Sequence, residues 1–222
     1  MQPLLAILLT STYYTTVAAM PVGCGNQISV TPHDSYSSKV GVLGCKIDIN
    51  RVAYWPTAVD CSSLCVRVSA NNRSVNLLKV DQSDGAHDIS YDAWNYLVTG
   101  ESATESAAVG GGVAALYEDV EMEECKDLLK TDDRRLAFSA ANSMNFINEC
   151  LNYGESWVAK NYDLYNIVDP ACTLGVDEKC SLDSSRNPQC SHKLGLQVEL
   201  EGEAIENIAY STGKSYKASR GL

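Results

Sequence analysis

The first clear pattern of hydrophobic and polar positions along the chain predicts a β-hairpin. Two β-rich runs, Val66–Ser69 and Ser74–Val80, flank the turn-forming residues Ala70–Arg73, an arrangement typical of two strands and a tight turn. The apolar positions change phase within the second run. This change indicates a bulge or a strand buried on both faces, as closed barrels tolerate.

A helix and then a flexible connection are predicted after this hairpin. Ser90 offers an N-cap and Gly100 a C-cap, so the helix occupies the residues between them. Residues 101–112 are rich in Ser, Ala, Thr and Gly, which is typical of a flexible linker. The glycine triplet that ends this segment lacks the following Lys-Ser/Thr of a phosphate-binding loop.

Two more helices are predicted farther along the chain. Within residues 117–130, the residues Met122, Cys125 and Leu129 share one helical face. Within residues 136–151, apolar residues recur at a spacing of about 3.6 residues; they are Leu136, Ala140, Met144, Ile147 and Leu151. Because Cys125 and Cys150 lie on or near the buried sides of these helices, we hypothesise a disulfide between them.

Residues 1–19 have the pattern of a secretory signal peptide. The segment carries no charge, contains the apolar run Pro3–Leu9 and ends in the small residues Val17–Ala19, as signal peptidase prefers. The apolar run is shorter than the ~20 residues that span a bilayer. We therefore expect a secreted, extracellular protein whose mature form has no membrane segment.

The cysteines and one sequon agree with secretion. All nine cysteines follow the predicted signal peptide: Cys24, Cys45, Cys61, Cys65, Cys125, Cys150, Cys172, Cys180 and Cys190. In an oxidising compartment they predict disulfides, with one cysteine left over and the pairing open. The sequence Asn72-Arg73-Ser74 is an acceptor site for N-glycosylation at Asn72.

Charge and motif content exclude several functions. With 28 acidic and 17 basic residues, the net charge is -11, and no basic run is present to bind the phosphates of nucleic acid. Zinc ligation by Cys61 and Cys65, or by Cys190 and His192, is less favoured than disulfide formation in a secreted chain. We predict neither a metal nor a cofactor.

A strand, a Gly-containing loop and an acidic residue before a helix carry a family resemblance. These residues are Val80, Asp81, Gly85, Asp88, Ile89, Ser90, Ala93 and Leu97. They resemble the double-psi β-barrel superfamily of expansins, barwins, rare lipoprotein A-like domains and family-45 endoglucanases. Expansins often carry His, an aromatic residue and Asp at this step, whereas here His87 directly precedes Asp88. The resemblance covers Val40–Gly100 and implies a small barrel.

This resemblance implies a catalytic role for Asp88 if the protein is an enzyme. Asp88 would be the acid that touches a glycosidic oxygen. Glycoside hydrolysis normally needs a second carboxylate, and the candidates are Asp48, Asp60, Asp81 and Asp84. The alternative is structural, with Asp88 capping the helix or accepting hydrogen bonds from loop amides. We favour this alternative, because single carboxylates at helix starts are ordinary.

Aromatic residues near this motif are candidates for binding sugar rings. Tyr54 and Trp55 precede Pro56 and therefore look like accessible loop residues, and Tyr91 and His87 are further candidates. Aromatic residues are equally common in protein cores. We expect Trp94 and Leu97, at helical spacing, to be buried against the barrel.

The whole chain also resembles a group of small secreted fungal proteins that are regarded as effector-like. The resemblance rests on Cys45–Asp48, Arg51–Pro56 and Ala86–Trp94. It implies a setting outside the cell at the host interface rather than a reaction.

The fold expected from these patterns is α+β, with a small double-psi-like β-barrel followed by a disulfide-tied helical extension. The barrel region would span 20–100, the connection 101–112 and the extension 113–222. The favoured function is that of a non-catalytic, effector-like protein that binds cell-wall polysaccharide or an extracellular host protein. Two alternatives stay open: a wall-modifying enzyme that uses Asp88, and a structural component of the wall or matrix.

Overall fold

The computed structural model describes residues 25–218, which form a closed barrel and a second layer beside it. The predicted signal peptide and Cys24 lie outside the described residues. Within 25–218, every helix is too short or too polar to cross a bilayer. The chain is thus mixed α+β, as expected, although its second part contains more strand than the predicted helical extension.

Six strands close the barrel in the order β1-β5-β2-β4-β3-β6. They are β1 Asn26–His33, β2 Val52–Trp55, β3 Cys65–Ala70, β4 Arg73–Gln82, β5 His87–Ser90 and β6 Val113–Val120. The pairs β1/β5 and β2/β4 are parallel, and the other pairs are antiparallel. The predicted hairpin is therefore confirmed as β3 and β4. Its β4 strand is buried on both faces over most of its length.

Alternate residues of the six strands fill the barrel. This interior cluster includes Val30, Ala53, Val66, Leu77, Ile89 and Ala115. Helix α1, Tyr91–Thr99, contributes Trp94 and Leu97 to the same cluster, as the spacing predicts. Gly100 ends α1 with φ +91°, a backbone conformation that favours glycine. Ser90 occupies the N-cap position, but its hydroxyl donates to the carbonyl of Asn50 at 2.6 Å instead of capping the helix.

The segment 101–112 is packed on α1, in contrast to the predicted flexible connection. The Tyr91 hydroxyl donates to the carbonyl of Ala108 at 2.7 Å, and the Trp94 indole donates to the carbonyl of Gly111 at 3.2 Å. The side chain of Asn95, which is fully buried, both donates to and accepts from this segment. Small residues here allow close packing on α1 rather than mobility.

The predicted helix over 117–130 is wrong, because its first residues form β6 and close the barrel between β1 and β3. A short 3-10 helix follows at Met122–Leu128. Met122, Cys125 and Leu129 are all buried, so the apolar face exists, but on a tighter helix. Pairing on both edges of β6 outweighed the local helical pattern.

The second layer is a sheet of four strands in the order β10-β9-β8-β7. These strands are β7 Leu136–Ser139, β8 Tyr162–Ile167, β9 Gly175–Leu182 and β10 Pro188–Gln189. Two helices, α2 Met144–Asn152 and α3 Trp157–Lys160, connect β7 to β8. A hairpin of β11 Glu206–Ile208 and β12 Ser215–Lys217 ends the described chain.

The helix predicted over 136–151 begins eight residues late, because residues 136–139 form β7, parallel to β8. All four residues of β7 are buried. A fully buried strand lacks the alternation that distinguishes strands from helices.

The second core lies between the outer face of the barrel and this second layer. Val52, Tyr54, Leu78 and Val80 from β2 and β4 contact apolar residues of the second layer, among them Phe138, Phe146, Ile147 and Leu164. The wall formed by β2 and β4 is therefore shared by two cores.

Four disulfides pair eight of the nine cysteines: Cys45–Cys172, Cys61–Cys150, Cys65–Cys125 and Cys180–Cys190. The hypothesised bridge between Cys125 and Cys150 is wrong, because each of them pairs with a cysteine near the barrel instead. Both cysteines are buried in the same core, but neither predicted helix forms over its expected range.

A half-buried ion pair joins three segments at the start of α1. Asp92, which is 5% exposed, accepts from Arg51 at 2.7 Å, from the Ser102 hydroxyl at 2.7 Å and from the backbone N–H of Ala103 at 2.7 Å. Burial alone would raise the pKa of Asp92, but these hydrogen bonds outweigh it and lower the pKa below its ordinary value.

Removing the Cys65–Cys125 bridge with the double change Cys65→Ser and Cys125→Ser should lower the free energy of unfolding by about 2–5 kcal/mol. Urea unfolding at neutral pH measures this loss. Peptide mapping of the wild type without reduction should recover Cys65 linked to Cys125 and Cys61 linked to Cys150. A peptide linking Cys125 to Cys150 would contradict the arrangement.

Asp92→Asn should lower the free energy of unfolding by about 1.5–3 kcal/mol, because charged hydrogen bonds are lost. Since the pKa of Asp92 is lowered in the folded protein, its contribution is present above the unfolded pKa of about 3.9 and lost as pH falls through the folded pKa. Urea midpoints at about pH 7 and about pH 3 should therefore differ less for Asp92→Asn than for the wild type. Asp132→Asn, at an exposed position, is the control and should behave as the wild type.

Candidate functional site

Four polar side chains lie in a row across the barrel strands β1, β5, β2 and β4. The strand register places Thr31 opposite Asp88, Asp88 opposite Tyr54, and Tyr54 opposite Asp81. Directly paired residues point to the same face of a sheet. The row, which we call the Asp88 row, therefore places the predicted acid on the same face as one of its four candidate partners, with Tyr54 between them.

Asp88 is the more accessible carboxylate of the row. It is partly exposed, and its Oδ1 accepts a hydrogen bond from the Thr31 hydroxyl. The side chain does not cap α1, because Asp88 lies within β5, three residues before the helix begins. Its position fits neither the predicted helix cap nor an exposed loop.

Asp81 is held out of solvent. It is 2% exposed, its Oδ1 accepts from the backbone N–H of Gln82 at 2.8 Å, and its Oδ2 accepts from the Ser37 hydroxyl at 3.3 Å. For Asp81 to accept a proton from a water molecule that attacks a sugar, the segment around Ser37 would have to move away. Asp81 therefore lies in the same row as Asp88, with Tyr54 between them, and is not positioned as a general base for hydrolysis.

Tyr54 separates the two carboxylates. Its hydroxyl donates to the carbonyl of Ser35 at 3.3 Å and accepts from the backbone N–H of Ser37 at 3.3 Å, so the segment containing these serines covers it. The His33 ring lies 4.4 Å from the Tyr54 ring. Burial, together with the negative charges of Asp81 and Asp88, raises the pKa of Tyr54 well above its ordinary value, although the hydrogen bond from Ser37 opposes this shift.

The other candidate carboxylates have local structural roles or lie apart. Asp48 accepts from the backbone N–H of Asn50 at 3.0 Å at the start of a 3-10 helix. Asp60 accepts from the backbone N–H groups of Ser62 and Ser63, both at 2.7 Å. Asp84 is exposed in the turn between β4 and β5. Of the four candidates, Asp81 alone lies in the Asp88 row.

His87 points to the opposite face of β5 from Asp88, as adjacent strand residues do. Its ring lies 4.7 Å from Trp55 and 5.9 Å from Tyr117, and the Trp55 and Tyr117 rings are 5.2 Å apart. Burial lowers the pKa of His87, although the charge of Asp88 acts in the opposite direction. His87 is thus one of three packed rings and does not form an acid–base pair with Asp88.

Three of the aromatic residues predicted for binding are buried. Tyr54 is 5% exposed, Trp55 is 4% exposed, and both lie in β2 rather than in a loop. Tyr91 is also buried and uses its hydroxyl to hold Ala108. None of these three rings offers a flat face to a polysaccharide. The proline that follows Trp55 marks the end of a strand here and not an accessible loop.

An accessible aromatic ring lies instead at the edge of an open cleft of about 720 Å³ beside the Cys61–Cys150 bridge. This ring is Tyr153, which is 64% exposed and follows the end of α2. The cleft, which we call the Tyr153 cleft, also contains the carboxylates of Asp60, Glu149 and Glu155. Sequence reasoning missed it, although the polar neighbours of Tyr153 are a usable sign of exposure.

The floor of the Tyr153 cleft is rigid. The disulfide joins Cys61 to α2, and the backbone N–H of Val158 donates to the carbonyl of Cys61 at 2.9 Å. Hydrogen bonds from the backbone N–H groups of Ser63 and Ser62 lower the pKa of Asp60, which keeps this carboxylate charged near neutral pH. A rigid floor with a carboxylate held by backbone hydrogen bonds is prepared to bind a ligand.

Sequence analysis also missed the contribution of β1 to the Asp88 row. Ile28 and Val30 alternate with polar residues, a two-residue period that would have predicted a strand. Within residues 25–218, no group of three or more His, Cys, Asp or Glu side chains has an arrangement that could hold a metal ion.

No family model matches the sequence, and no curated protein matches it. Among solved structures, the chain is similar to cerato-platanin 2 and cerato-platanin 3 from M. perniciosa, with identities of 12% and 10% and TM-scores of 0.34 and 0.35. It is also similar to the fungal elicitor cerato-platanin, with 17% identity and a TM-score of 0.33. These matches cover 44–45% of this chain and 96–98% of the other chains.

The predicted resemblance is a structural one, to cerato-platanins over part of the chain.

Tyr54→Phe should lower the free energy of unfolding at neutral pH by about 0.5–1.5 kcal/mol, because the hydroxyl's two hydrogen bonds are lost. The raised pKa of Tyr54 means that its contribution is complete below the unfolded pKa of about 10 and is lost as pH rises through the folded pKa. Urea unfolding at about pH 8 and about pH 11 should show a smaller loss for Tyr54→Phe than for the wild type. An equal loss would contradict the burial of this hydroxyl, and Tyr153→Phe is the exposed control.

Proposed function

We propose that the protein is a secreted, non-catalytic, effector-like fungal protein that binds cell-wall polysaccharide outside the cell. The observation that carries this proposal is the exposed ring of Tyr153 in an open cleft that also contains the carboxylates of Asp60, Glu149 and Glu155. The apolar face of a sugar ring packs on an aromatic ring, and sugar hydroxyls donate hydrogen bonds to carboxylates. The Tyr153 cleft offers both.

The volume of the cleft agrees with a small ligand, and one of its carboxylates is paired with a lysine. About 720 Å³ lies within the range of roughly 300–1,000 Å³ that is typical of sites for small ligands. Glu155 is paired with Lys160 at 2.6 Å, which reduces the negative charge that a neutral polysaccharide would meet.

The arrangement of the Asp88 row does not favour hydrolysis. Inverting hydrolysis needs two carboxylates that reach the glycosidic bond and a water molecule on opposite sides. Asp88 is partly exposed, but Asp81 is buried and accepts two hydrogen bonds. The row therefore acts in this proposal as part of the barrel wall.

Secretion is supported by the disulfides. Four bridges in a chain of 222 residues form and persist in oxidising compartments and are rare in the cytosol. The signal-like residues 1–19 agree with this, and the acidic net charge of -11 disfavours anionic partners.

Tyr153→Ala should weaken binding of the full mature chain to the preferred polysaccharide by about tenfold, since loss of a stacked ring costs about 1–2 kcal/mol. A pull-down on chitin, β-glucan, cellulose and xylan measures binding, and reducing-sugar release is recorded in the same samples. Tyr153→Phe retains the ring and should keep most of the binding. Tyr216→Ala removes an exposed ring outside the cleft and should have no effect.

Asp88→Asn separates binding from catalysis in the same assay. Under the proposal no sugar is released, and Asp88→Asn binds as well as the wild type. Release that disappears in Asp88→Asn but persists in Asp84→Asn would overturn the proposal and establish an enzyme. Absence of binding to all four polymers would also overturn it and favour an extracellular host protein as the partner.

A further inference from the structure

An open groove of about 760 Å³ lies at the tip of the β3–β4 hairpin, where it meets β1 and β6. Ala114 and Leu116 supply its apolar surface, and polar groups are supplied by Gln27 and the turn residue Asn72. Asn72 is exposed and belongs to the acceptor sequence of N-glycosylation. The groove therefore begins at the side chain to which a glycan would be attached.

The turn that carries Asn72 has a fixed conformation. Asn71 and Asn72 have φ values of +51° and +60°, the left-handed pair that a tight hairpin turn requires and that Asn tolerates well. The side chain of Asn71 donates to the carbonyl of Leu97 at 3.1 Å. The Arg73 guanidinium donates to the last carbonyls of α1, including that of Thr99 at 3.1 Å. A group attached to Asn72 thus leaves the barrel in a defined direction.

The groove suits a neutral occupant. Arg73 is the one charged residue among those that line it, and its guanidinium is directed at the end of α1 rather than into the groove. No carboxylate lines the groove, although the whole chain carries a charge of -11. Uncharged amides and small apolar side chains match the two faces of an N-acetylated sugar.

We propose that Asn72 carries an N-linked glycan whose first N-acetylglucosamine residues lie in this groove and stabilise the barrel. The transfer forms a bond between Asn72 Nδ2 and C1 of the first sugar and breaks the sugar–phosphate bond of a polyprenyl-diphosphate oligosaccharide. The polyprenyl diphosphate and the amide proton leave. This inference is independent of the polysaccharide-binding proposal, because the two sites are lined by different residues.

A docked glycan would cover the outer face of two strands that are distant in sequence. Gln27 of β1 lies opposite Leu116 of β6, and Ala114 lies on the same outer face. Sugars packed on both strands lower the free energy of the folded protein without a counterpart in the unfolded chain. The glycan therefore acts here as a stabilising ligand tethered at high effective concentration.

The test uses the full chain secreted from a glycosylating yeast, as the pair Ser74→Ala and Ser74→Thr. Ser74→Ala removes the acceptor sequence without changing the turn, whereas Ser74→Thr preserves it. Intact mass should show a glycan on Ser74→Thr but not on Ser74→Ala. The Tm of Ser74→Thr should be higher by about 2–4 °C, which corresponds to about 1 kcal/mol in a chain of this size.

Two controls separate docking from attachment alone. The same pair made in a bacterial periplasm, without glycan, gives the effect of residue 74 itself and should show no such difference. Ala114→Lys, at an exposed position in the groove, should abolish the Tm difference while leaving the glycan attached. An unglycosylated Asn72, equal Tm values in the yeast pair, or a difference that persists with Ala114→Lys would each overturn the proposal.

Discussion

The wall formed by β2 and β4 is buried on both faces, and the rest of the structure depends on this double burial. In β2, Ala53 and Trp55 belong to the barrel interior, whereas Val52 and Tyr54 belong to the second core. Neither face can be returned to water without exposing apolar surface. The barrel and the second layer therefore stabilise each other, and the Asp88 row lies at the edge of this shared wall.

Local signals predicted the hairpin and α1, because the Asn71–Asn72 turn and Gly100 specify the backbone by themselves. The strands β6 and β7 could not be predicted in the same way. Both derive their conformation from partners far away in sequence, and β7 is buried on both faces, so its period carries no information. The local pattern of each segment predicted a helix, but pairing with distant strands determined the structure.

In the candidate sites, too, some features could be predicted from local sequence and others depend on distant parts of the chain. The motif around Asp88 identified one acid, but its neighbour Thr31 is 57 residues away in sequence, and their contact follows from parallel pairing of β1 with β5. Burial determines which aromatic rings are accessible to a ligand. Tyr54 and Trp55 lie in an apolar strand, whereas Tyr153 lies among polar residues after α2. Exposure is a property of the folded chain, and a sequence indicates it only through such neighbours.

The disulfides set a limit on where this architecture can exist. Three bridges connect the region 45–65 with the region 125–172, and they span 127, 89 and 60 residues. A fragment that ended after β6 would keep Cys45, Cys61 and Cys65 and lose the cysteine with which each of them pairs. Reduction would loosen both layers at once. A reducing cytosol, where glutathione keeps thiols reduced, is thus a compartment in which this protein would lose the links between its two cores.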